Sequence, residues 1–206
     1  MSPHDLTRVL RLILVTDDRL IGDRDLVEVC QAAVGGGVTA IQLRLKDASP
    51  RDLVSVFERL RTRVGVPILI NDRADVALAC GADGVHVGPE DVPVPLVRGL
   101  APAGFLIGAS VGSVGEVDGG RGADYWGVGP FRTTSTKRDA GPALDVDEFR
   151  AIVRMGEGRP CVAIGGVRPE DVAALSEAGA VGVAVASGIL AESDTGAAAI
   201  RYASRL

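Results

Sequence analysis

The sequence is poor in several residue types, and each shortage narrows the reading. Aromatic side chains make up only 3% of the 206 residues. The core must therefore come from Val, Leu, Ile and Ala, which suit parallel strands buried on both faces. The three cysteines, Cys30, Cys80 and Cys161, are odd in number, far apart and set among Ala and Val. That pattern excludes a disulfide framework or a zinc set and fits small buried residues in a reducing cytoplasm. No apolar run approaches a membrane span. The first ten residues carry His4, Asp5 and Arg8 and lack the apolar stretch of a signal peptide, so a cytoplasmic location is expected. A net charge of −5 argues against nucleic acid or an anionic membrane as the main partner. Small phosphorylated substrates fit, because they respond to local cations rather than to the total. The sequence specifies no oligomeric state.

Lysine and asparagine are scarcer still. Of 22 basic residues only Lys46 and Lys137 are lysines, and Asn71 is the single asparagine. An ammonium is a compact point charge, whereas guanidinium is a broad planar fork. A chain that otherwise uses Arg suggests a chemical reason wherever Lys persists; codon bias is the plain alternative.

What is present is an alternation. Eight short apolar runs, Arg11–Asp17, Thr39–Leu45, Val66–Asp72, Gly84–Gly88, Phe105–Val111, Asp124–Pro130, Cys161–Gly166 and Val181–Gly188, alternate with amphipathic segments. The second amphipathic segment is the clearest. Ser49 can cap it, Pro50 opens it, Leu53, Phe57, Leu60 and Val64 share one face, and Gly65 stops it. Asp145 or Asp147 starts another, with Phe149, Ile152 and Val153 inward. Pro169, Glu170 and Asp171 open the seventh, which buries Val172, Leu175 and Ala178. Segments three and five are short and rich in Ala and Gly. Strands alternating with helices imply parallel pairing and right-handed crossovers. Eight units point to an α/β protein closed into a (β/α)₈ TIM barrel, one compact domain over residues 1–206 with short loops; an open doubly wound sheet is the rival. Active sites of such barrels lie at the C-terminal ends of the strands.

Those ends hold the chemistry. In Gln42-Leu43-Arg44-Leu45-Lys46, alternation puts Gln42, Arg44 and Lys46 on one side of a strand. Three long polar side chains in a barrel mouth are costly without a ligand, and a guanidinium with an ammonium suits a diphosphate. A solvated strand edge is the alternative, which leaves the rare lysine unexplained. Strand three ends Asn71-Asp72 and strand four ends Gly88-Pro89-Glu90-Asp91. Two carboxylates at adjacent strand ends can share Mg²⁺, whose shell is completed by water and phosphate. Helix capping is the rival role for Asp72 and Asp91. Ser110, ending strand five, suits a ligand donor and a turn about equally. After strand six come Thr133, Thr134, Ser135, Thr136 and Lys137, hydroxyls and a lysine suited to phosphate and to a covering loop. Gly165-Gly166 ends strand seven, and strand eight runs into Ala186-Ser187-Gly188. Glycine pairs admit an anion to backbone N–H groups, and these two loops frequently hold phosphate in this fold. His86, mid-strand, reads as a packed core histidine. No Ser/His/Asp or Cys/His set is apparent, which disfavours covalent nucleophilic catalysis.

Taken in order, Gln-Leu-Arg-Leu-Lys, Asn-Asp, Gly-Pro-Glu-Asp, Gly-Ala-Ser, Gly-Pro followed by Thr-Ser-Thr-Lys, and Ile-Gly-Gly resemble the thiamine-phosphate synthase family over nearly the whole chain. The resemblance implies condensation of 4-amino-2-methyl-5-hydroxymethylpyrimidine diphosphate with 4-methyl-5-(2-phosphoethyl)thiazole, giving thiamine phosphate and diphosphate by Mg²⁺-assisted departure of diphosphate. It assigns pyrimidine diphosphate contacts to Gln42, Arg44, Lys46, Asn71, Ser110 and Lys137, with Arg44, Lys46, Lys137 and Ser110 catalytic. It assigns Mg²⁺ to Asp72 and Asp91, and thiazole phosphate to Thr134, Ser135, Thr136, Gly166, Ala186 and Ser187. Leu45, Pro89 and Thr133 depart from the family pattern, as does Gly112, near which the family often has His. A sister family, the thiazole tautomerases, is thought to use that His in proton transfer, so its absence counts against an isomerase. Other phosphate-binding barrels would need an acid–base pair that the sequence does not supply. A non-catalytic phosphate-binding barrel would have no need of both lysines and both aspartates.

Overall fold

Eight parallel strands pair in sequence order, and the last returns to the first, closing a barrel. The structure is a computed structural model and describes residues 3–133 and 141–206. Helix α1 (Pro3–Val9) precedes β1 (Leu12–Val15), which is followed by α2 (Asp18–Ile21) and α3 (Leu26–Gly35). Then come β2 (Ala40–Leu43), α4 (Pro50–Arg61), β3 (Ile68–Asn71), α5 (Ala74–Cys80), β4 (Gly84–Val87), α6 (Val94–Leu100) and β5 (Leu106–Val111). The second half holds β6 (Tyr125–Val128), α7 (Val146–Met155), β7 (Cys161–Ile164), α8 (Val172–Glu177), β8 (Gly182–Val185), α9 (Ser187–Leu190) and α10 (Thr195–Ala203). Closure is made by β1 on β8, with Leu12 opposite Val183 and Leu14 opposite Val185. The open-sheet alternative is thereby set aside.

All eight expected strands form, each shorter than its apolar run. Val181–Gly188 was the most overextended: pairing stops at Val185 and α9 begins at Ser187. Ser187-Gly188 is a turn-prone pair, but it does not mark whether pairing stops before or after it. Helix α4 is capped by Ser49, whose Oγ accepts from the Asp52 N–H at 3.2 Å. It ends at Arg61 rather than at Gly65, because the Thr62 hydroxyl donates to the Arg59 carbonyl and closes the last turn. Val64 therefore lies beyond the helix, half-buried against the core. Asp145 caps α7 in a reciprocal capping box with Glu148. Val153 is only half-buried there, unlike Phe149 and Ile152. After β5 only a 3₁₀ turn, Val114–Glu116, forms in the glycine-rich segment.

Strand alternation sorts the side chains into two cores. Outward residues such as Leu14, Ile41, Ile70 and Val128 pack with Phe57, Leu60, Phe149 and Ile152 of the helices. Inward residues Ile13, Val15, Ala40, Leu69, Leu106, Tyr125, Val162 and Ala184 fill the barrel, and Leu10 seals its lower end beside Leu6 and Val9. Apolar packing thus fills the N-terminal end of the barrel, and the polar inward residues stand above it, toward the C-terminal rim.

Helix α10 is fitted to that rim. The Tyr202 hydroxyl donates to the Val167 carbonyl at 3.0 Å, and a Cβ on Gly188 would stand 2.0 Å from the same oxygen. Gly188→Ala is expected to cost about 1–3 kcal/mol of stability by overpacking. In a Tyr202→Phe background that cost should shrink, though Tyr202 Cζ and Val185 Cγ1, at 3.0 and 3.1 Å from the added Cβ, still crowd it. Urea unfolding of the four proteins measures this, and equal costs in both backgrounds would contradict the fit.

Candidate active site

Above the apolar layer, the inward residues of β2 to β6 are polar or glycine. Gln42 is buried, and its amide Nε2 donates to Asn71 Oδ1 at 2.6 Å. Arg44 is buried too, and its Nη1 donates to Asp17 Oδ2 at 2.7 Å, with both side chains less than a tenth exposed. Asp17 also caps α2, its Oδ1 accepting from the N–H groups of Arg19 and Leu20. Thr16 completes the clamp: its hydroxyl donates to the Arg44 carbonyl at 3.0 Å and accepts from the Arg44 N–H at 2.8 Å. Breaking such a buried pair from one side costs about 3–5 kcal/mol, because the remaining charge is stranded. The expectation that Gln42, Arg44 and Lys46 share a strand face is corrected here, and the cost of burying the first two is met within the protein. Strand β2 ends at Leu43, Lys46 lies in an exposed turn, and Gln42 and Arg44 are partnered within the protein. No buried side-chain N or O atom among the described residues is left without a hydrogen bond.

Asp72 and Asp91 are both tied to the end of β4. The Asp72 N–H donates to the His86 carbonyl at 2.8 Å, and Asp91 Oδ2 accepts from the Gly88 N–H at 2.7 Å. Neither caps the helix that follows. Arg73 and Pro93 hold the cap positions of α5 and α6, without side-chain cap bonds. Asp72 moreover has φ +64°, a left-handed conformation uncommon outside glycine. Strain of this kind costs about 1–3 kcal/mol and clusters at functional sites. An all-oxygen donor set is the kind that Mg²⁺ takes. No cluster of three or more His, Cys, Asp or Glu side chains suited to a metal occurs among the described residues.

Ser110 sits near the end of β5, half-buried, with its Oγ 3.0 Å from His86 Nε2. His86 Nδ1 in turn lies 3.0 Å from the Tyr125 hydroxyl. His86 is a buried, hydrogen-bonded histidine as expected, but it touches an expected site residue.

The loops after β6 and β7 are stitched together. Phe131 N–H donates to the Ile164 carbonyl and Arg132 N–H to the Gly165 carbonyl, at 2.9 and 2.8 Å. The Arg132 guanidinium grips Asp171 through both carboxylate oxygens, at 3.0 and 2.5 Å. Gly165 and Gly166 have φ +87° and +66° and pass so close that a Cβ would meet Pro130 at 2.5 Å or Arg132 at 2.8 Å. Glycine is therefore required at both positions. At the end of β8, Ala186 precedes α9, and the first N–H groups of a helix, here on Ser187 and Gly188, have no intrahelical acceptor. Thr134, Ser135, Thr136 and Lys137 lie outside the described residues. Thr133 is exposed, and Leu45 packs against the outer core. A Cβ on Gly112 would stand 2.7 Å from the Gly129 carbonyl oxygen, so a side chain there requires backbone movement.

Several contributors escaped the sequence reading. Asp17 ends the first apolar run of the sequence and would have been found had the strand-end rule been applied to that run as well. Thr16 and Tyr125 gave no such signal. The cysteines are inert by position: burial pushes the Cys30 and Cys161 thiols up to about 12. A cavity of about 760 Å³ opens at the other end of the barrel, beside Leu6, Arg98, Asp124, Arg159 and Val181. It flanks the N-terminal ends of the strands, whereas the catalytic rim of this fold is the C-terminal one.

Fold and rim define a (β/α)₈-barrel enzyme. The profile of the thiamine monophosphate synthase family matches residues 12–189. Thiamine-phosphate synthase of Syntrophomonas wolfei is 44% identical over 188 residues, covering 89% of this chain and 90% of that one. The Chloroflexus aurantiacus enzyme of the same name is 45% identical over 194 residues, covering 92% and 89%. Thiamine phosphate pyrophosphorylase of Pyrococcus furiosus superposes with a TM-score of 0.84 at 34% identity, covering 97% of this chain and 96% of that one. The chain belongs to the thiamine monophosphate synthase family.

Acid should loosen the loop clasp. Burial alone would raise the pKa of Asp171. The hydrogen bond from Arg132, the Arg168 N–H and the charges of both arginines outweigh it, and hold the carboxyl below its ordinary 3.8. A depressed folded pKa contributes stability above the unfolded value and loses it as pH falls through the folded one. Asp171→Asn should thus narrow its stability deficit against the parent as pH drops below about 4. Chemical denaturation from pH 7 to pH 3 checks this; a deficit that does not change with pH would contradict it.

Proposed function

We propose that the rim of this barrel binds the pyrimidine diphosphate over β2 to β5 and the thiazole phosphate over β7 and β8, and that diphosphate departs with the help of Mg²⁺. The activity is that of a thiamine-phosphate synthase, a transferase that joins the two substrates and releases diphosphate. The observation that carries the site reading is the pair of aspartates. Both are fastened to the end of β4, neither caps a helix, and one is held in a strained backbone conformation.

Asp72 and Asp91 would hold Mg²⁺, which would neutralise charge on the departing diphosphate. Arg44, aimed by Asp17, offers a guanidinium to phosphate oxygens, while Lys46 and Lys137 add point charges where negative charge develops. Gln42 and Asn71, already bonded to each other, offer the amide groups that the pyrimidine reads. Ser110 adds a hydroxyl. An aminopyrimidine stabilises a methylene cation once the leaving charge is neutralised, and the thiazole nitrogen is already a nucleophile. No general base is then required. Gly166, Ala186 and Ser187, with Thr134, Ser135 and Thr136, receive the thiazole phosphate.

The purified protein with Mg²⁺ and both substrates should form thiamine phosphate and diphosphate, and chelation should abolish the reaction. Absence of product, with conversion of the single thiazole isomer instead, would transfer the assignment to an isomerase. Asp72→Gly separates ligand from fold. Glycine relaxes the positive φ, so stability should stay within about 1 kcal/mol. Product formation should fall roughly 100-fold and recover in part at high Mg²⁺. Full activity in this variant would remove Asp72 from the metal site.

A further inference from the structure

Tyr125 and His86, which no step so far has used, form a line with Ser110 across β6, β4 and β5. Tyr125 is 1% exposed and His86 4%, their rings lying 5.5 Å apart and tilted by 43°. Room for the pair is made by two glycines. A Cβ on Gly108 would fall 2.3 Å from Tyr125 Cζ and 2.5 Å from His86 Nδ1, and one on Gly127 would fall 2.9 Å from His86 Cε1. The strands are shaped around this line.

Two hydrogen bonds at 3.0 Å fix the heavy atoms, and the protons follow by elimination. A phenol has one proton, and burial pushes the Tyr125 hydroxyl above its ordinary 10.0, so it keeps that proton. The surrounding inward side chains, Leu69, Leu106 and Val162 among them, are apolar. Among the described residues, the acceptor bonded to that hydroxyl is His86 Nδ1. Donation there requires Nδ1 to offer its lone pair, which puts the imidazole proton on Nε2. Nε2–H then donates to Ser110 Oγ. The reverse chain, Ser110 to Nε2 and Nδ1–H to Tyr125, strands the phenolic proton in an apolar layer, at a cost of about 1–3 kcal/mol.

We propose that Tyr125 and His86 are positioning residues that fix the Ser110 hydroxyl as a donor toward the barrel mouth. Ser110 therefore reads an acceptor atom of the bound pyrimidine diphosphate, a ring nitrogen or a phosphate oxygen, rather than the exocyclic amino group. This deepens the function proposed above and rests on it. The chain acts through orientation alone: no proton leaves any of the three residues during turnover.

The test reads the tautomer directly. The sequence has only two histidines, His4 and His86, so long-range ¹H–¹⁵N spectra of the labelled full chain resolve both rings. His86 should show a protonated Nε2 and an unprotonated Nδ1. A protonated Nδ1 would overturn the proposal whether or not any variant folds. Kinetics supply the second reading. Tyr125→Phe should slow single-turnover formation of thiamine phosphate about tenfold, the weight of one misdirected hydrogen bond. In a Ser110→Ala background the same substitution should change the rate less than about twofold. Equal losses in both backgrounds would mean that Tyr125 merely supports the fold, and would also overturn the proposal. If the unsubstituted protein makes no thiamine phosphate, it is the underlying function that fails; product with the wrong tautomer fails this inference alone.

Discussion

The interior of this barrel is governed by the cost of burying polar groups. An idealised ion transferred into a low-dielectric interior loses solvation that only close partners restore. Arg44 is buried and must be answered, and Asp17 answers it from the N-cap of α2 at 2.7 Å. Gln42 is buried and finds Asn71 on the other side. His86 is bonded at both ring nitrogens. The rim is therefore organised before any substrate arrives, and its side chains have little freedom to lose on binding. In the proposed reading that preorganisation is what turns charged groups into catalytic ones, since stabilising a developing charge then needs no rearrangement.

A second constraint comes from space. The barrel is closed by eight short strands, and its interior takes one large aromatic, Tyr125, only because neighbouring positions on the inner face are glycine. The same economy operates at the rim. Gly165 and Gly166 let the β7 loop lie against Pro130 and Arg132, and Gly188 makes way for Tyr202. Loops so tightly interlocked hold the candidate phosphate site on rigid backbone. The Arg132–Asp171 clasp extends that rigidity to residue 132, the last but one described before the loop that carries Lys137.

Much of this was legible in the sequence, for reasons that differ from residue to residue. The eight strands announced themselves because strands buried on both faces read as uninterrupted apolar runs. Their ends did not, because pairing stops where neighbours diverge, and no residue type marks that point between Val185 and Ser187. Asn71 and the aspartates were visible from rarity and position. Asp17 was equally visible by position, but its importance lies in the register that sets it beside Arg44. Tyr125 could not be read at all. Its direction depends on which residue of Asp124–Pro130 begins the strand, and one place of slip would have turned it outward among the helices. Helix capping, the rival account of Asp72 and Asp91, fell because Arg73 and Pro93 hold the cap positions of α5 and α6.

The same geometry bears on which chemistry the rim supports. Isomerisation by proton transfer needs a group that both gains and loses a proton facing the substrate. His86 is occupied at both nitrogens and sits below the rim, bonded to Tyr125 and Ser110. Gly112, near which a histidine is common in the family, has the Gly129 carbonyl 2.7 Å from its notional Cβ, so a side chain there would require the backbone to shift. What the described rim offers instead is a fixed guanidinium, amide and hydroxyl donors, and two aspartates fastened to the end of β4, to which the proposed reading gives the cation. Such a set stabilises negative charge and does little for carbon acids. Departure of diphosphate from an activated methylene is a reaction whose difficulty is charge rather than proton movement, and in the proposed reading this rim answers that difficulty.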